Sequence, residues 1–134
     1  MNCLSWIVGH LASQEHLLWV QMAQEQNLFP NLRKLVGYGQ PPSTPPWEEM
    51  WDSWNTVTKA ADKYLDDLTA KQMDGYLVWE GKPIAESIGL TLLRNIYHYW
   101  FHLGEAHAMR QMLGHTDLPD FVGDTSWVEY SSKE

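Results

Sequence analysis

Between Cys3 and about Gln26, Leu, Trp, Ile, Val and Met recur among Gln, Glu and Ser with no proline, the pattern of one long helix. Projected at roughly 100° per residue, His10 falls on a face with Cys3, Trp6, Gln14 and Leu17, beside an apolar arc of Ile7, Leu11 and Leu18. The arc turned away from His10 carries Gly9, Ala12, Trp19, Val20 and Ala23, where a solvent-facing arc should be charged. Pro30, Gly37, Gly39, Pro41, Pro42, Pro45 and Pro46 then predict a loop over 27–46, with one helical turn near Asn31 to Val36. A second helix is expected to open with Thr44 as its cap, Pro45 in the first helical position, and Glu48 and Glu49 in the first turn. Its apolar stripe reads Trp47, Met50, Trp51, Trp54, Val57, Ala61, Tyr64, Leu65 and Leu68.

Tyr76 to Trp79 is a short apolar run ahead of Glu80-Gly81, consistent with an extended stretch and a turn. A third helix is predicted from Pro83 to Gly114, bent near Gly89, and it is apolar on nearly every side, as a central helix is. Beyond His115, Pro119 and Gly123 lead to a polar end at Ser131 to Glu134. The resulting expectation is an all-α, up-and-down helical bundle, one domain over 1–123 with a polar tail over 124–134.

Composition narrows the function classes. A formal charge of −8 with nine Lys plus Arg leaves no basic patch for nucleic acid or anionic lipid. A single cysteine, Cys3, excludes an internal disulfide and a cysteine-based zinc cluster. The apolar start lacks a basic n-region, and no run of about 18 apolar residues is present, so a cytoplasmic protein is expected. Eight Trp in 134 residues predict an aromatic core.

Chemistry concentrates on the third helix. His98 and His102 are spaced i, i+4, which sets both imidazoles on one face about a turn apart, within reach of one metal ion. The same face gathers Thr91, Arg94, Glu105 and Met109, a polar stripe in an apolar helix whose buried groups need partners. His10 would supply a third ligand, and three imidazoles leave coordination positions open for substrate on zinc, nickel or another divalent ion. Taken alone, His10 reads first as a core histidine hydrogen-bonded to a carbonyl. Glu105 is a candidate base, ligand or acceptor for His102, or else a solvated carboxylate, and Arg94 is a candidate receiver of an anionic substrate group, or else a surface arginine. His16, His107 and His115 read as ordinary, partly exposed residues.

The segment Ser5-Trp6-Ile7-Val8-Gly9-His10-Leu11-Ala12, the run His98 to Glu105 and the closing Leu113-Gly114 resemble the DinB-like (YfiT-related) family. The resemblance extends to Gly37-Tyr38-Gly39 and Leu68-Thr69. It implies a helical bundle with His10, His98 and His102 as metal ligands, Glu105 standing where glutamine is usual. It also implies a metal-dependent enzyme of the thiol S-transferase, isomerase or hydrolase type, with a low-molecular-weight thiol as co-substrate and a small molecule as substrate. The alternative is a non-catalytic module pinned by its ion. Such bundles usually begin with a helix ahead of the first histidine, so a homodimer is expected to cover the uncharged arc of the first helix.

Overall fold

The computed structural model describes residues 2–120 and 123–126. The polar end at Ser131 to Glu134 lies outside them. Helix α1 (Leu4–Glu15) continues into a π-helical stretch, His16–Met22, and is followed by α2 (Leu32–Val36) and α3 (Trp47–Leu65). Next come α4 (Ala70–Met73), the strands β1 (Tyr76–Trp79) and β2 (Lys82–Ser87), and α5 (Ile88–Met112). The architecture is mainly helical, with α1 packed against α2, α3 and α5.

Two boundaries depart from the expected ones, each for a local reason, and the end of the first helix falls where expected. The ring of Pro46 drives Pro45 out of the helical region, so α3 begins after Pro46 and not at Pro45. Pro83 does not start the third helix. It lies on β2 opposite Val78 in an antiparallel hairpin, and α5 starts after Ser87, whose Oγ accepts the Leu90 N–H at 3.3 Å. Glu80 and Gly81 form the two-residue turn with φ of 50° and 78°, the pair of positive angles a type I′ hairpin needs. The first helix stops at Glu25, which has φ 55° and donates its N–H to the Gln21 carbonyl at 3.0 Å, a left-handed stop of the kind glycine usually makes.

Two apolar clusters hold these elements together. Trp6, Ile7, Leu11 and Ala12 of α1 meet Leu32, Val36, Met50 and Met109. Leu18, Trp19 and Val20 of the π-helical stretch meet Val57, Ala61, Leu77 and Ile88. Trp19 is completely buried; at about 150–250 Å² and 25 cal/mol per Å², that burial is worth about 4–6 kcal/mol.

The arc of α1 expected to need a partner is therefore covered by this chain. Ala12, Trp19 and Val20 are fully buried, and Gly9 faces Met50 and Val36 so closely that a Cβ would meet the Met50 sulfur. The exposed apolar surface lies on α5 instead, where Tyr97 and Phe101 are each 64% exposed and Leu90, Leu93, Ile96 and Leu103 also face outward. So α5 is not enclosed on all sides. Its buried residues include Thr91, Asn95 and His102, an inverted pattern in which the polar stripe faces inward. The aromatic core is accordingly partial, with Trp47 and Trp51 half exposed and stacked in line with Trp54.

Candidate metal centre

His10 projects from the middle of α1 toward α5, where His98 and His102 stand one turn apart. His10 Nε2 lies 3.1 Å from His98 Nε2, and His102 Nε2 lies 3.0 Å from the same atom. The candidate ligand atoms of the three residues all fall within 4.8 Å of one another, close enough to bind one metal ion.

The other ring nitrogens explain this orientation. His10 Nδ1 is 2.8 Å from the Val36 carbonyl. A carbonyl only accepts, so Nδ1 carries the proton and Nε2 presents its lone pair. Val36 ends α2, where carbonyls lack intrahelical partners, so the short helix places a free acceptor where His10 needs one. His102 Nδ1 is 2.6 Å from Glu105 Oε2, which fixes the same tautomer. Trp6 stacks on the His10 ring at 4.7 Å and holds its plane. His98 Nδ1 is buried and has no hydrogen-bond partner.

The Nε2 lone pairs of His10 and His102 thus both face His98 Nε2, where a single ring proton is shared between two acceptors and a cation would serve all three nitrogens. Burial favours the neutral form of His10 and His98, the form a metal ligand needs. His98 is pushed down to about 4, first by desolvation and then by His102, His10 and Arg94. Desolvation also lowers His10.

A cavity of about 500 Å³ opens beside His10 and His98, walled by Gln14, Thr91, Asn95 and the β2 residues Ile84 to Glu86. Arg94 lines it too; its side chain is 72% exposed and bonds Glu86 Oε1 at 2.6 Å. Glu105 is at the opposite side of the triad, on His102. Thus the sequence-predicted residues His10, His98, His102 and Glu105 come together directly, while Arg94 stands at the cavity with a carboxylate partner.

Several contributors to the site carry no clear signal along the chain. Val36 acts through its backbone, which no residue type announces, and Glu86 was masked by the expectation of helix from Pro83. Asn95 donates Nδ2 to the buried Glu15 at 2.6 Å, and Trp54 Nε1 donates to the Tyr99 hydroxyl, which also bonds Glu15. Desolvation raises the Glu15 carboxyl against these bonds. Asn95 sits on the stripe that contains Thr91 and His98, so its inward position was the one legible signal. His16 is not partly exposed: it is 2% exposed, and its Nε2 accepts the backbone N–H of Leu28 at 3.0 Å and of Phe29 at 3.4 Å. It stitches the following loop to α1 and lies outside the triad.

Among the described residues no helix is long and apolar enough to cross a membrane. No curated protein and no solved structure matches the chain. The family model described as DinB superfamily matches residues 1–106, most of the chain and both histidine segments, so the chain belongs to the DinB superfamily.

Proposed function

We propose that this protein is a cytoplasmic, metal-dependent enzyme of the thiol S-transferase, isomerase or hydrolase type, with zinc or nickel held by His10, His98 and His102. The observation that carries this reading is the convergence of the Nε2 atoms beside an open cavity, with the Nδ1 protons of His10 and His102 already engaged. A divalent ion bound there would lower the pKa of a thiol or water at its open position and supply a nucleophile near neutral pH.

The chain's own residues prepare that site. Val36 and Glu105 fix two tautomers, and such partners also raise ligand basicity. Glu105 is thus a positioning residue for His102, and Arg94 receives an anionic group of the substrate at the cavity wall. Trp6 and the hydrophobic cluster behind it exclude water from one side of the triad. A purely structural ion is the second reading, and the cavity beside three ligands disfavours it, because structural zinc sites are closed by a fourth ligand.

Elemental analysis of the purified protein tests the first step, with about one equivalent of zinc or nickel expected. A screen of low-molecular-weight thiols against electrophiles tests the second. Turnover that persists after the metal is removed by chelation and verified absent would exclude the mechanism.

A further inference from the structure

We propose that the cavity beside the three histidines selects a zwitterionic ligand, its carboxylate on Arg94 and its ammonium on Glu86. This rests on reading that cavity as the substrate site. Among the described residues lining it, only these two carry a full charge. They are opposite in sign, come from different elements and are bonded to each other at 2.6 Å.

The pair is loose enough to open. Arg94 is largely in solvent, and exposed ion pairs hold themselves together weakly. A ligand with only an acidic or only a basic group would satisfy one partner and strip the other of its counter-charge. A zwitterion inserts between them and returns a partner to each. The remaining polar wall, Gln14, Thr91 and Asn95, is neutral and offers hydrogen bonds without biasing the charge.

Spacing adds a further constraint. Arg94 precedes His98 by one turn, about 6 Å along the helix axis at 1.5 Å per residue. That is the span of a short amino acid, so a ligand anchored by its carboxylate on Arg94 reaches the histidines with its side-chain group. A cavity of about 500 Å³ exceeds a bare amino acid, which leaves room for a substituent or a second reactant.

Two titrations test the proposal. In the first, Co(II)-loaded protein is titrated with cysteine, cysteamine and 3-mercaptopropionate, and the thiolate-to-cobalt absorption band is followed. Because the net charge of −8 attracts cysteamine whatever the site, the decisive quantity is the change on substitution. Glu86→Gln should weaken cysteine and cysteamine about three- to tenfold and leave 3-mercaptopropionate unchanged or tighter, since no counter-charge is then stranded. Arg94→Gln should weaken cysteine and 3-mercaptopropionate by a similar factor and leave cysteamine unchanged or tighter for the same reason. Equal losses for all three thiols, or none, overturn the zwitterion proposal and leave the metal reading intact.

In the second, metal-free protein is titrated with S-methylcysteine and with its N-acetyl amide, which lacks both charges. The zwitterion alone should shift the NMR signals of the Glu86 and Arg94 backbone amides. Absence of that shift overturns the proposal independently of any metal, whereas absence of a cobalt band with every thiol counts against the thiol chemistry above.

Discussion

Replacing Glu105 separates a positioning role from a bystander one. Its Oε2 lies 2.6 Å from His102 Nδ1, one turn along α5, so the carboxylate fixes both the ring orientation and the tautomer that frees Nε2. Loss of an outer partner of a ligating histidine generally costs about 10–100-fold in metal affinity, or about 1.4–2.7 kcal/mol. Because the Glu105 side chain is 34% exposed, water partly replaces it, and the lower end applies: Glu105→Ala should weaken zinc about tenfold. Glu105→Gln keeps an acceptor oxygen within reach of the Nδ1 proton, so it should remain within about threefold. Competition against a chromophoric chelator at pH 7 measures both, with circular dichroism verifying unchanged helicity. Zinc affinity of Glu105→Ala within twofold of the parent, or a loss as large in Glu105→Gln as in Glu105→Ala, would refute the assignment.

Substituting His98 by Ala should abolish stoichiometric metal while retaining most helicity, since neither apolar cluster includes it; metal analysis beside circular dichroism checks this. The lowered values of His10 and His98 mean that protons compete at these two ligands only below the free imidazole range near 6.5, so zinc retained by them, followed by metal analysis after dialysis, should persist as pH falls through 6. The same shift makes the metal-free fold lose stability as pH falls from 6.5 toward 4, because the unfolded imidazoles take up protons first; a thermal midpoint that holds steady over that window, or falls equally steeply in His98→Gln, contradicts it. Glu25→Gly and Glu80→Asn should each raise stability by about 0.5–1 kcal/mol in urea denaturation by relieving a positive φ, and a loss in either case would show that its side chain contributes more than its backbone costs. We propose that the expected homodimer forms through α5 and not α1, so Tyr97→Glu should shift sedimentation toward monomer; a parent chain that is monomeric at micromolar concentration removes the dimer altogether.

Features that depend on local spacing were legible along the chain. The 3.6-residue period located α1, α3 and α5, and i, i+4 spacing alone put His98 and His102 on one face. Breakers placed the loop and the single turn that became α2, and a short apolar run before Glu80-Gly81 was legible as a strand and turn. Features that depend on which surfaces meet were set by long-range packing. Trp19 and Val20 looked unpartnered on a helical projection because nothing local reveals that α3 and the hairpin cover them. The apolar circumference of α5 suggested a central helix, yet the buried side is the polar one, since the triad and Glu15 must find partners inside while Tyr97 and Phe101 face outward. Pro83 carried the same local preference for a strand edge as for a first helical turn, and the pairing with Val78 chose between them. Finally, the Val36 carbonyl that sets His10 is a backbone atom 26 residues away, and Glu86 meets Arg94 only because the hairpin returns to α5. Residue identity supplied the ligands; long-range packing supplied the atoms that orient them.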